Sequence, residues 1–385
     1  MMDLRIRLAA TARFCLGRSY MLGRRLGLYD PGPRPVYYLS EKADWSIRQD
    51  ALAYARAIEA RHPGTVTVSN RPELSGGRIA HFGSQFIWQA WAKALDPATR
   101  QMITYFHGKP EDGPEMARHV SFFLDHLDRV SMVVTAAGSI EKRLLSWGVP
   151  RDKLVRVPLG IDLDRFRPPT VDERTAARAR FGVPEKALCI GSFQKDGAGW
   201  GEGLEPKLIK GPDIFIDVVT RLARHFPIFV LLTGPARGYV KQGLEKAGIA
   251  YAHHVMPRAD MVSDAFRALD LYIVASREEG GPKAVLESLA SGVPLVSTRV
   301  GMAEDVIRSG INGMLSASHE AAELAELAGL LLADASVAKQ LSNQGLVDIR
   351  AFAWDVVAET LYSQAYLPLL AQERPSASGT PYNAL

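Results

Sequence analysis

S-R-E-E-G-G-P-K-A-V-L-E-S-L-A-S-G, residues 276–292, is the stretch whose reading decides the fold. It follows an apolar run over 269–275, broken only by Asp270, with the length and makeup of a buried strand. Gly280 and Gly281 supply a tight turn. Pro282 suits the first helical position, where a missing N–H costs nothing. Residues 284–290 are good helix formers, and Gly292 can close the helix in the left-handed conformation. Strand, glycine turn and helix in this order put a bare helix N-terminus at the mouth of a parallel sheet. Such an end carries roughly half a positive charge and several unpaired N–H groups, which suits a phosphate. Glu279 stands before the glycines and Glu287 inside the helix, so two carboxylates bracket the expected anion site.

The same alternation runs outward in both directions. Past a breaker cluster at 30–35, strands are expected at 36–39, 65–69, 78–82, 102–106 and 131–135, with helices at 48–61, 86–94, 115–127 and 139–147. A loop over 160–169 leads to a second series, with strands at 188–193, 228–233, 250–254 and 295–297 and helices between them. Residues 320–334 and 336–366 read as helical. Such alternation predicts an α/β protein whose parallel sheets are covered on both faces. The expected organisation is a basic helical leader (1–35), an N-terminal domain (36–168), a second domain (169–352), a C-terminal helix crossing back to the N-terminal domain (353–370) and a disordered tail (371–385). Two doubly wound domains in tandem present the carboxyl ends of their strands to a cleft, where ligands bind.

Bulk properties narrow the class. A chain of 385 residues, 47% hydrophobic and 23% charged, is a globular protein of about two domains. Its two cysteines, Cys15 and Cys189, cannot build a disulfide framework or a C-x-x-C metal cluster, which fits a reducing, cytoplasmic compartment. No apolar run approaches the roughly 18 residues of a membrane span. The net charge of +4 is local: residues 1–35 hold seven arginines against two aspartates, and the remainder sits near −1. Nucleic-acid binding by the whole protein loses its support. Residues 1–28 read as a helix with Leu4, Leu8, Cys15, Leu22 and Leu26 on one stripe and arginines on both flanks. An interfacial helix on the inner face of an anionic membrane, a helix packed on its own domain, and a targeting segment all fit that pattern.

The run E-G-G-P-K-A-V-L-E-S-L-A-S-G-V-P-L-V-S-T at 279–298 resembles the donor-site signature of the family 4 retaining glycosyltransferases (glycosyltransferase group 1). Three further stretches resemble that family in order and spacing: V-P-L-G-I-D-L-D-R-F at 157–166, the G-S-F at Gly191 with the later Lys210-Gly211, and V-G-M-A-E-D-V-I…N-G-M-L over 300–315. The resemblance covers roughly residues 36–370. It implies a GT-B fold, two Rossmann-like doubly wound parallel-sheet domains facing across a cleft. It also implies transfer of a hexose-type sugar, with retention and without metal or other cofactor, from a nucleoside-diphosphate sugar to a hydroxyl. The acceptor would be a glycan or a lipid-linked molecule of cell-envelope polysaccharide or glycolipid biosynthesis.

A departing nucleoside diphosphate gathers negative charge, and a helix end and fixed cations are preorganised to hold it. Gly280, Gly281, Pro282 and Lys283 frame the helix end. Glu287 lies about 7.5 Å along the axis from Pro282 at a rise near 1.5 Å per residue, with its side chain leaning back toward that end. The resemblance assigns Glu279 to the donor sugar, Glu287 to the ribose, and the backbone near Val255 to the base. Lys210 matches the family's lysine before glycine. The basic residue expected after Gly191 is Ser192 here, and a glycine-rich insert follows; Lys195 and Lys207 both stand as the second cation, and the insert reads as a mobile lid with Trp200 as a contact. His107, after the strand at 102–106, is expected to face the reacting sugar, and His81 is a weaker candidate. In this class the departing phosphate deprotonates the acceptor, so His107 would position rather than act as base. His253 and His254, adjacent on a strand, point to opposite faces, and Asp162 and Asp164 read as structural, so no metal site is expected. An epimerase of the same fold and a catalytically silent nucleotide-sugar binder within an assembly complex are the competing readings.

Overall fold

The computed structural model describes residues 2–42, 46–256, 258 and 261–372, with side chains from residue 8 onward. The chain divides into two compact units, the first holding residues up to 135, 143–157 and those from 358 on, the second 136–142 and 158–357.

In the first unit, β1 (Val36–Leu39), β2 (Val66–Ser69), β3 (Ile79–Phe82), β4 (Arg100–Thr104), β5 (Val130–Thr135) and β6 (Leu154–Arg156) form one sheet in the order β2-β1-β3-β4-β5-β6, parallel throughout. β1 and β3 are buried along their whole length, which explains why such strands read as continuous rather than alternating apolar runs. The first helix, Met2–Arg25, packs on this unit. Gly17 meets the Ala94 carbonyl where a side chain would not fit, and Arg24 Nε donates to the buried Asp96 at 2.8 Å.

In the second unit, β7 (Leu188–Ser192), β8 (Ile228–Thr233), β9 (Ala250–His254), β10 (Leu271–Val274), β11 (Leu295–Ser297) and β12 (Met314–Leu315) also pair parallel, in the order β12-β11-β10-β7-β8-β9. The order reverses between β7 and β10. That junction is the topological switch point of a doubly wound sheet, where the loops leaving the two strands diverge and open a crevice. Ile190, Val230, Leu232, Leu271 and Ile273 pack there with Phe215, Val218 and Leu244 from the covering helices.

Several elements differ from the sequence reading. The units part at Val157/Pro158 rather than at 168/169, because Leu159 and Ile161 bury in the second unit: the Leu159 N–H meets Met302 Sδ at 3.3 Å, and the Ile161 N–H donates to Phe352 O. A helix at Val171–Arg180, capped by Thr170 and Glu173 in a reciprocal box, occupies a stretch for which the sequence reading gave no element. Asp270 precedes β10 instead of interrupting it, since Arg174 and Arg178 of that helix hold its carboxylate at 2.7 and 3.0 Å. The helical stretch expected over 336–366 is divided into Ala335–Asp348, a 3-10 turn, Trp354–Leu361 and a π-helical turn at Tyr362–Tyr366. From Ala358 the chain packs in the first unit. The tail expected from 371 lies, from residue 373, outside the described residues.

Candidate active site

The site forms at the switch point of the second unit. β7 and β10 pair through Leu271↔Ile190 and Tyr272↔Gly191, so the segments that follow them leave the same sheet edge. The two segments are then fastened together. Arg277 donates its backbone N–H to Ile209 O at 2.8 Å and its guanidinium, bidentate, to Asp213 at 2.7 and 2.6 Å. Gly211, at φ +62°, is a position only glycine fills well: a Cβ there would drive into the Ala275 carbonyl. This fastening brings Lys210 Nζ to 2.6 Å from Glu279 Oε1, an oxygen that also accepts from Ser276 Oγ at 3.1 Å. Both members of the ion pair are largely shielded from water.

The helix expected after the glycines runs Lys283–Ala290. Pro282 is its N-cap, at φ −69° and ψ 96°, and not its first helical residue, because an extended ψ keeps it out of the helical turn. Gly280 and Gly281 do not turn the chain through positive φ, as their sequence suggested. Gly281 is needed for space, since a Cβ would press within 2.7 Å of Leu159 Cδ1. The unusual backbone lies opposite, at Gly301 with φ +47°, where any side chain would strike the carbonyls of Glu279 and Gly280. Among the described residues the backbone N–H groups of Glu279, Gly280 and Gly281 donate to nothing. No acidic side chain occupies the helix's first turn. Three open amides and an uncapped helix end therefore adjoin, along the chain, the carboxylate of the Lys210–Glu279 pair. Glu287 is half-buried on the same helix. Gly292, at φ +67°, closes it as expected, with Val293 N donating to Ser288 O and Gly292 N to Leu289 O.

The lysines fall into different settings. Burial, then Lys195 and Lys210, lower the Lys207 pKa, so the three ammonium groups share one neighbourhood. Lys195 Nζ sits 3.7 Å from the centre of the exposed Trp200 ring, and Lys283 Nζ lies 5.8 Å over Trp354, which leaves its backbone as what it offers the helix end. The glycine-rich insert is a pinned hairpin rather than a free lid. Gly197 bridges Pro206, Gly238 N donates to Glu202 O at 2.7 Å and Tyr239 N to Gly203 O at 2.9 Å.

Sequence reasoning missed Arg237. It lies just before the helix Gly238–Lys246, beside Ala236 at φ +56°, and is 1% exposed. Its guanidinium donates to Ser192 O at 2.6 Å, Ser192 Oγ at 2.9 Å and Thr233 O at 2.8 Å, and its Nε stands 2.9 Å from the buried carboxylate of Asp196. The only signal in the sequence was the absence of a cation at Ser192.

Val255, after β9, is exposed. Its neighbours His253 and His254 part as expected, the first to Gly234 O at 2.7 Å and the second edge-on to Phe181. In the first unit, His107 is half-buried past β4, and Gln85 clamps its backbone, accepting from Phe106 N at 2.8 Å and donating to His107 O at 2.7 Å. His81 is sealed from solvent between Tyr366 and Thr104 at 2.7 and 2.9 Å, which removes it as a candidate. Asp162 Oδ1 caps its own turn by accepting from Asp164 N and Arg165 N. Among the described residues no three His, Cys, Asp or Glu side chains are grouped to hold a metal, and no helix is long and apolar enough to cross a membrane.

Residues 204–347 match the model of the family described as Glycosyl transferases group 1. The chain is 28% identical over 250 residues to a D-inositol 3-phosphate glycosyltransferase of Xylanimonas cellulosilytica, covering 61% of this chain and 57% of that protein. A protein of the same name from Acidothermus cellulolyticus is 26% identical over 343 residues, 85% of this chain and 72% of that one. The chain spans about half the length of most of the curated relatives it matches. Among solved structures, Anabaena Alr3699/HepE in complex with UDP and glucose superposes with a TM-score of 0.69 at 16% identity, over 86% of this chain and 99% of that one. The fold is therefore GT-B, and the stretch that matches the group 1 glycosyl transferase model lies in the unit that holds the switch-point site.

Proposed function

We propose that the protein transfers a sugar, with retention, from a nucleoside-diphosphate sugar to a hydroxyl acceptor. One observation carries this reading: three unspent amides and an uncapped helix end adjoin a Lys–Glu pair, with a second carboxylate on the same helix. A bare phosphate would need only amides and cations. Flanking carboxylates call for hydroxyl-bearing groups on either side of the charge, which a nucleoside diphosphate joined to a sugar supplies.

In this reading the diphosphate rests on the amides of residues 279–281 and on Lys210, with Lys195 or Lys207 as a further cation. Glu279 takes the sugar hydroxyls and Glu287 the ribose. Lys210 holds the charge that grows on the leaving phosphate, and no metal is required for it. The departing phosphate oxygen accepts the acceptor's proton on the face it leaves, and His107 on the first unit orients the reacting sugar. The base lies along the backbone at Val255. UDP is the first donor to try, because HepE was crystallised with it. The acceptor class is a glycan or lipid-linked hydroxyl of the cell envelope, met at an anionic membrane surface by the first helix.

Thermal unfolding with UDP, GDP, ADP and their sugars tests the donor assignment, since a ligand that binds only the native state raises its stability. One nucleotide series should raise the midpoint, and chelator should leave the shift unchanged. Glu279→Ala should then abolish transfer. Full activity in that variant overturns the site. Donor consumed without acceptor would mean an epimerase, and binding with no turnover on any acceptor a silent binder.

A further inference from the structure

Arg237 is a full charge buried in the second unit with a role the site has not used. Burial lowers its pKa and raises that of Asp196, opposing charge on both partners, and a buried pair of this kind is weak evidence for stability. Asp196 accepts no well-formed hydrogen bond on either oxygen among the described residues, despite its 2.9 Å approach to Arg237 Nε. Stability alone does not account for such a pair. Position does. Two of the three groups that receive the guanidinium's Nη protons belong to Ser192, the last residue of β7 at the switch point. Tyr272, whose hydroxyl accepts from Phe193 N, lies where the charges of Glu287, Arg237 and Glu279 each reach it.

The Ser192 hydroxyl, on a residue 1% exposed, is the side-chain group at the end of β7 that takes this charge. Its oxygen is taken by Arg237 Nη2, and among the described residues its own proton is donated to nothing. A hydroxyl whose oxygen accepts from a cation is a stronger donor through its remaining proton, because hydrogen bonds in a chain polarise one another. Gln194, two residues on, ties this strand end to Lys210 by donating to its carbonyl at 2.9 Å.

We propose that Arg237 is a positioning residue of the donor site: from beneath β7 it fixes and polarises Ser192, whose hydroxyl donates to the diphosphate alongside Lys210. The inference rests on the donor-binding reading above. It gives the site a second fixed cation from the β8 turn, contributed through a serine, and makes Asp196 the counter-charge that holds the guanidinium in place.

The test is calorimetry with whichever of UDP, GDP or ADP stabilises the wild type, beside its nucleoside, which lacks phosphate. Ser192→Ala should weaken the diphosphate about tenfold, the range of a hydrogen bond to a charged group, and leave the nucleoside unchanged. Arg237→Met alone strands Asp196, so it is paired with Asp196→Asn and checked by thermal melting. In that background the diphosphate should again weaken about tenfold, and adding Ser192→Ala should cost little more. Equal diphosphate binding by wild type and Ser192→Ala overturns the proposal, as do independent, additive losses. Absence of nucleotide binding by the wild type would instead overturn the donor-binding reading.

Discussion

At the scale of single residues, the two central charges of the site neutralise each other. The Lys210 ammonium lies 2.6 Å from Glu279 Oε1, with both side chains mostly shielded. A diphosphate must take Lys210 from Glu279, and a sugar must then satisfy the carboxylate that is released. The two events are coupled only when sugar and diphosphate arrive together. Glu279→Gln should therefore separate binding from turnover: a nucleoside diphosphate without sugar binds about fivefold tighter, the equivalent of about 1 kcal/mol, while transfer falls at least a hundredfold. Calorimetry and a sugar-release assay measure the two, and weaker diphosphate binding would show that the pair does not compete with phosphate. Glu279, Glu287 and Lys210 were legible in the sequence because a glycine turn and a helix fix their spacing within short motifs. Arg237 was not, because its partner Ser192 lies 45 residues away and only the fold of β7 and β8 joins them. The roles of Gly280 and Gly281 were misread for the same reason: the close approach belongs to Leu159 and Gly301, which the local sequence does not contain.

Whole elements follow the same logic. Apart from the short edge strands β6 and β12, the described strands were legible to within about two residues, since burial on both faces writes an apolar run whatever the neighbours are. The helix Val171–Arg180 was missed although Thr170 and Glu173 spell its capping box, because its interior is arginine- and alanine-rich without an apolar stripe. The breaks after Asp348 and Leu361 leave little local signal, because tertiary contacts impose them. One such contact is the bond between His81 on β3 and Tyr366 in the π-helical turn, 2.7 Å long and fully buried, with the Tyr38 ring 4.3 Å away and Asp50 also buried nearby. Burial lowers the His81 pKa to about 3 from an ordinary 6.5. Between these values the unfolded chain binds a proton that the folded chain refuses, so stability falls as pH falls from 6.5. By pH 5 the loss from this residue is about 2 kcal/mol. His81→Gln can still meet both hydroxyls and has no such proton to bind. Its denaturant midpoint should be lower than wild type at pH 7.5 and should fall less between pH 6.5 and 5. An identical pH slope would mean that His81 is protonated in the folded protein.

Over the whole molecule, the first helix resolves a choice that the sequence left open between packing and an outward apolar face, because it has both. Gly17 and Arg24 press it onto the first unit, while Leu8, Leu22 and Leu26, 62%, 55% and 62% exposed, lie on the side away from those contacts with the exposed Arg18 and Arg25 beside them. Leucines at that exposure contribute little to folding, yet each would gain on the order of 1 kcal/mol or more by entering the boundary of a bilayer. The arginines add an attraction to anionic headgroups that salt screens. Deleting residues 1–28 is a poor test, since it would uncover Asp96, which Arg24 neutralises. Replacing Leu8, Leu22 and Leu26 together by Glu keeps the packed face and reverses the outward one. The variant should melt with the wild type and sediment far less with vesicles containing phosphatidylglycerol. Wild-type binding should itself decline between low and physiological salt, and vanish on neutral phosphatidylcholine. Equal sedimentation of variant and wild type would remove the membrane from the account, and the helix would then serve the first unit alone.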